Sequence, residues 1–187
     1  MTAPVLESDV PLATTGARVR ESANVNALVF WPVMIGVLVA DVITKAIAVY
    51  ALSPRGFPHP LIGEWVRLTL VYNPGAAFGL SVGSWSRWFF IALTAVAVPV
   101  LWQMYKATPP FGNARTLAVA LVMGGALGNV IDRIRSAEGV VDFLDIGVGA
   151  WRWPTFNVAD IAVSCGAVLL AIVLWREDPP ETPALSD

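Results

Sequence analysis

Cysteine, histidine and charge are what this sequence has least of, and each shortage removes a class of chemistry. Cys165 is the single cysteine, so no intrachain disulfide can form. His59 is the single histidine. One imidazole and one thiol make no zinc site, and HExxH is absent, so metalloprotease chemistry is not expected, and neither a metal nor a cofactor is called for. Asp, Glu, Lys and Arg together make up 14 % of the chain, against about 25 % in soluble domains. The net charge of −2, with no basic cluster, argues against a nucleic-acid partner. No GxSxG is present, a serine–histidine pair would have to use His59 in GFPHP, and no serine is spaced to serve Lys45. There is no internal repeat. The first residues, MTAPVLESDVPLATTGARVRESANVN, lack an apolar core and so do not read as a cleavable signal peptide.

What is abundant is apolar surface, at 56 % of residues. Four stretches can cross a bilayer: Ala27 to Tyr50, Trp88 to Tyr105, Thr116 to Ile131 (extended to carry Asp132 and Arg133 at its end) and Phe156 to Trp175. Each is near the roughly 20 residues that a helix needs to cross hydrocarbon. Trp31, Trp88, Trp102 and Trp175 lie near span ends, where an aromatic belt belongs. Residues 1–26 are expected to be a disordered tail, 27–175 the transmembrane domain, and 176–187 a Pro-rich acidic tail. Four spans put both termini on one side. Arginines in the other loops leave the positive-inside count undecided, but the short loop KATPPFGNAR, basic and without an acid, favours the cytoplasm. The loop 51–87 on the other side contains EWVRLTLVYN, Glu64 to Asn73, with the alternation of a strand; GVVDFLDIGV is a second strand candidate. The fold class expected is an all-α membrane protein of four transmembrane helices with a small sheet on its outer face.

Polar residues inside such spans need a reason, because a carboxylate at bilayer depth costs roughly 2.5–3.5 kcal/mol on insertion scales. Asp160 lies three residues after Asn157, and the structural explanation is a capping box. Asp142 lies on the connection between the third and fourth spans, so it can meet Asp160. Two carboxylates sharing a site cannot both ionise cheaply; one keeps its proton, which supplies a general base and a general acid around one water molecule. Chain logic alone leaves Asp132, Asp142 and Asp145 as alternative partners for Asp160. Asp41 and Lys45, spaced i, i+4, form either an intrahelical ion pair or part of a site. GGALGNVIDR places small residues for close helix packing and one polar residue, Asn129, that needs a partner.

Taken in order, DVITK (Asp41 to Lys45), YNPGAAF (Tyr72 to Phe78), GGALGNVIDR (Gly124 to Arg133), VVDF (Val140 to Phe143) and FNVAD (Phe156 to Asp160) closely resemble the motif set of the lipoprotein signal peptidases, also called signal peptidase II. The resemblance covers roughly residues 27 to 175. It implies a bacterial inner-membrane aspartic endopeptidase that removes signal peptides from prolipoproteins, cutting before a lipobox cysteine that already carries diacylglycerol, and that is inhibited by globomycin. It places the catalytic acids in VVDF and FN-x-AD, at Asp142 and Asp160 here, and leaves Asp145 as a neighbour. It carries over Asp41, Lys45, Asn73, Asn129, Asp132, Arg133 and Asn157 as supporting residues, with Asn73, Asn129 and Arg133 expected to position backbone or lipid-ester oxygens. It also implies cytoplasmic termini, a periplasmic β-cradle and an active site near the periplasmic face. Pro74 stands where some members have Thr. The rival readings are a proton-coupled transporter using Asp41, Lys45 and Asp160, and a non-catalytic scaffold in which the acids are caps and ion pairs.

Overall fold

Four apolar helices carry a small antiparallel sheet at one end. The computed structural model describes residues 13–77, 80, 81 and 83–176. The helices are α1 (Ala13–Ala51), α2 (Ser86–Lys106), α3 (Asn113–Arg135) and α4 (Val158–Arg176), and each holds a window long and apolar enough to cross a membrane. The strands are β1 (Pro58–Ile62), β2 (Val66–Asn73), β3 (Ala76–Ala77), β4 (Leu80–Ser81), β5 (Val140–Val148) and β6 (Trp151–Arg152). One sheet runs β1-β2-β5-β6, with every pair antiparallel; β3 and β4 form a separate short hairpin.

Helix α1 begins at Ala13, inside the stretch 1–26 expected to be a tail. Once a helix is nucleated each added residue gains a hydrogen bond, and residues 13–26 contain no proline to stop it. The strand candidate in GVVDFLDIGV is β5, which with β6 joins the sheet from the connection between α3 and α4. The acidic tail from 177 onward, and Phe78 of the YNPGAAF motif, lie outside the described residues.

Helix α3 is the axis of the bundle, packing against α1, α2 and α4. Its glycines explain how the helices come so close. Gly124 faces the Met34 carbonyl and Val37 of α1, while Gly125 faces the Ala159 carbonyl and Val163 of α4. Without a driving force between apolar helices in lipid, small residues that let backbones approach supply the attraction. A methyl on Gly125 would strike the Ala159 backbone, one residue from Asp160. Gly125→Ala is therefore expected to cost about 1–3 kcal/mol, read as a lower midpoint in a thermal melt of the detergent-purified protein. Near the sheet, Leu70, Val141 and Phe143 form a buried cluster with Ala48 and Leu52 at the end of α1. That cluster seats the sheet on the helix ends. At the opposite end, buried Asn26 donates to the carbonyls of Thr108 (3.2 Å) and Pro109 (3.0 Å), tying the α2–α3 turn to α1.

Candidate active site

The site forms where the ends of α1, α3 and α4 meet β2 and β5. Asn157 immediately precedes α4 and caps it reciprocally with Asp160: the Asp160 N–H donates to Asn157 Oδ1 (3.0 Å), and the Asn157 N–H donates to Asp160 Oδ2 (3.1 Å). The capping box is thus present. It leaves Asp160 Oδ1 to accept a bond from Asn129 Nδ2 (2.8 Å) on α3. Asn157 Nδ2 in turn donates to Asp142 Oδ1 (2.7 Å) on β5 and to Asn129 Oδ1 (3.1 Å). One asparagine therefore holds both acids, and they belong to one network.

Asp142 is buried, and its second oxygen accepts from Asn73 Nδ2 (3.0 Å) at the end of β2. Asn73 Oδ1 accepts the Gly75 N–H (3.1 Å), which orients the amide. Burial pushes the Asp142 carboxyl up to about 7, with the charge of Asp160 adding to the rise; the bonds from Asn73 and Asn157 and the charge of Lys45 oppose it.

On α1, Lys45 Nζ lies 2.7 Å from Asp41 Oδ2 and 2.9 Å from Asp132 Oδ2, and donates to Asn129 Oδ1 (2.9 Å). Asp41 Oδ1 accepts the Ala159 N–H (2.9 Å), so α1 helps to cap α4. Asp132 Oδ2 also receives the Val141 N–H (3.3 Å), which docks β5 on α3. Arg133 is buried: one terminal nitrogen donates to the Asn129 carbonyl (3.3 Å), the guanidinium lies 4.8 Å from the Phe90 ring centre, and Nε has no hydrogen-bond partner among the described residues. Four carboxylates (Asp41, Asp132, Asp142, Asp160) thus share this region with two cations (Lys45, Arg133). Such an imbalance favours retention of a proton on one acid.

All nine residues singled out from the sequence come together here. The alternatives for the partner of Asp160 also separate. Asp132 is taken by Lys45. Asp145, three residues along β5 from Asp142, points to the opposite face of the strand. It is held by Arg67 Nε (3.1 Å), Thr69 Oγ1 (3.0 Å) and Arg152 Nε (2.8 Å). Burial would raise its carboxyl, but the bonds from Arg152, Thr69 and Arg67 outweigh it and hold the group below the usual aspartate range. Asn73 and Asn129, expected to position substrate oxygens, each direct an amide donor at one of the two acids, Asp142 and Asp160 respectively. An ionised or shared carboxylate is the stronger acceptor. Arg87, not singled out from the sequence, donates from α2 to the carbonyls of Arg133 (2.6 Å) and Ile134 (3.3 Å), closing the end of α3. Its position in the first turn of α2 gave no local signal of that long-range bond.

A family model described as Signal peptidase (SPase) II matches residues 33–176. The chain belongs to that family. It is 44 % identical over 159 residues to a lipoprotein signal peptidase of Burkholderia mallei (strain SAVP1), a match covering 82 % of this chain and 92 % of the relative. It is likewise 44 % identical over 159 residues to a lipoprotein signal peptidase of Hydrogenovibrio crunogenus (strain DSM 25203 / XCL-2), covering 83 % and 90 %. Among solved structures, a bacterial membrane enzyme determined by the in meso method at 2.3 Å superposes with a TM-score of 0.69 at 28 % identity, over 83 % of this chain and 92 % of the other. Family membership and four membrane-capable helices make this a multi-pass membrane protein of the signal peptidase II type.

Proposed function

We propose that the chain is an aspartic endopeptidase that removes signal peptides from diacylglyceryl-modified prolipoproteins, cutting before the lipobox cysteine, with Asp142 and Asp160 as the catalytic pair. The observation that carries this reading is the bridging of the two acids by Asn157. The signal-peptide helix enters laterally from the bilayer, the lipid chains stay in it, and the scissile bond is drawn out between the two carboxylates. Ionised Asp160 takes a proton from the attacking water. Protonated Asp142 donates a hydrogen bond to the oxyanion that develops on the carbonyl, and a proton then passes to the leaving amine. The raised Asp142 carboxyl suits it to hold the shared proton. Arg133, with a buried donor unspent on protein, supplies a contact for a substrate oxygen. In this reading the site faces the periplasm from the bacterial inner membrane, the termini are cytoplasmic, and globomycin competes with the substrate.

The transporter reading calls for acids spread along several spans and an internal repeat; the acids here collect at the sheet end. The test is cleavage of a diacylglyceryl-modified prolipoprotein by purified protein, blocked by globomycin. Export of the intact precursor, or no cleavage with either modified or unmodified precursor, would overturn the proposal.

A pH profile follows. Because the folded protein raises the Asp142 carboxyl above the ordinary value of about 3.9, protonation stabilises the fold relative to the unfolded chain: that contribution is complete below about 4 and is lost as pH rises through about 7. Activity should fall on the alkaline side over the same range as the shared proton leaves. Asn73→Ala removes a bond that favours the charged form of Asp142, so its alkaline limb should move to higher pH, measured as initial rates across pH. A limb that moves to lower pH would contradict the assignment.

A further inference from the structure

Helix α2 brings no acid to the site, and its one lysine, Lys106, stands at the far end. The start of α2 nevertheless meets Arg133 twice. Arg87 donates from Nε to the Arg133 carbonyl (2.6 Å) and from a terminal nitrogen to the Ile134 carbonyl (3.3 Å). Phe90, three residues on, presents its ring to the Arg133 guanidinium at 4.8 Å. Positions i and i+3 are neighbours on a helix surface, so one face of α2 takes both the backbone and the side chain of Arg133. Each contact answers a physical need. The last four carbonyls of a helix have no partner inside it. At the end of α3 the Ser136 N–H takes the Asp132 carbonyl (2.9 Å), and Arg87 takes the next two. A cation there also opposes the negative end of the helix dipole. Arg133 itself is 7 % exposed, and a buried guanidinium needs its charge answered. Asp160, Asp142 and Asp132 supply the opposite charge, the Asn129 carbonyl takes one N–H (3.3 Å), and the Phe90 ring supplies a negative face. That leaves Nε as a donor that none of the described residues takes. The first turn of α2 is held in its turn: Gly75, just after β2, packs so closely on buried Ser86 that a methyl group at 75 would strike its side chain and backbone. Because Asn73 Oδ1 accepts the Gly75 N–H, the same turn also braces the asparagine that holds Asp142.

We propose, resting on the substrate contact assigned to Arg133 above, that Arg87 and Phe90 are positioning residues for substrate binding. Arg87 fixes the Arg133 backbone, Phe90 fixes its guanidinium, and together they aim the Nε–H at an amide or ester carbonyl oxygen of the bound precursor. Without Arg87 the turn that carries Asp132 and Arg133 loses two of the bonds that stop it fraying. Without the ring the guanidinium loses one of the groups that hold it in place. The oxyanion is served by Asp142, so the oxygen that Arg133 meets is one the reaction does not alter. Its contact is then equal in the ground and transition states. Weakening such a contact raises KM and leaves kcat unchanged.

The experiment replaces Phe90 in the full chain by 4-fluoro-, 3,5-difluoro- and 3,4,5-trifluorophenylalanine, which keep the shape of the ring and progressively weaken its negative face. In steady-state cleavage of a diacylglyceryl-modified prolipoprotein, KM should rise with each fluorine, by roughly 5- to 30-fold across the series, with kcat unchanged. Arg87→Met should raise KM in the same way, and Arg87→Lys, which keeps one donor, should recover part of the loss. A purely structural role reduces the amount of active enzyme and so lowers kcat alone. KM that stays flat across the fluorine series, or an Arg87→Met protein that loses only kcat, overturns the proposal. A second readout does not depend on activity. In protein labelled with 15Nε-arginine, the Nε–H signal that Arg133→Lys removes belongs to Arg133, and Phe90→Leu should shift it by removing the ring current. A signal that stays in place overturns the assignment of Phe90. If the parent cleaves no precursor, the peptidase reading fails, and the shift alone then decides whether α2 seats Arg133.

Discussion

Replacing either Asp142 or Asp160 by Asn is expected to lower the cleavage rate of a diacylglyceryl-modified prolipoprotein by at least about 1,000-fold, within the range that positioned acid–base groups supply. Both variants should still insert and fold. Asparagine keeps the shape of the side chain, and at 142 its one carbonyl oxygen can still accept one of the two bonds that Asn73 and Asn157 donate to separate oxygens of the carboxylate. At 160 it can likewise accept either the Asn157 N–H or the Asn129 amide, so each variant should carry a modest stability loss. Asp145→Asn provides the contrast: its carboxylate is bound by two arginines on the other face of β5. Its loss should loosen the sheet and lower the melting midpoint while leaving a far larger share of the rate. Equal activity losses at 142, 145 and 160 would mean that the acids act through stability and not through chemistry.

The second large effect belongs to Lys45. Its ammonium stands between Asp41 and Asp132, and both it and Asp41 are buried. Removing one partner of a buried ion pair typically costs about 3–5 kcal/mol. Lys45→Met should approach that figure in a detergent melt, because two carboxylates lose their common cation and Asn129 loses a donor. The bond from the Ala159 N–H to Asp41 ties this network to the first turn of α4, so activity should fall with it. Adding Asp41→Asn to Lys45→Met removes one of the uncompensated charges and should recover part of the lost stability. A Lys45→Met protein that melts like the parent would show that the ion cluster contributes nothing to holding the helix ends together.

The spans were legible because length and apolarity alone decide them, β2 because its side chains alternate, and β5 because it is rich in β-branched residues between Gly139 and Gly147. β1 was not, because Pro58 and Pro60 argue against a strand; it survives as an edge strand, where proline is tolerated. For Asp160 the sequence posed capping and catalysis as alternatives. The structure gives one oxygen to the cap and the other to Asn129, so capping does not remove the group from the site. Chain logic left Asp132, Asp142 and Asp145 open and only the motif resemblance favoured Asp142, because where the cations lie is a tertiary fact: Lys45 is 87 positions before Asp132 in the chain, and Arg67 pairs with Asp145 only across the β2–β5 ladder. The bond from Ala159 to Asp41 is equally invisible to local pattern, since it spans 118 positions.

The most direct test of the central claim, that Asp142 and Asp160 act as one unit on one peptide bond, is the double variant Asp142→Asn/Asp160→Asn, assayed on the lipid-modified precursor with a globomycin-treated sample as background. Groups that work as a unit are strongly non-additive. The double variant should therefore be no slower than the slower single variant. Losses that multiply, or a single variant that cleaves at near-parental rate, would contradict the claim.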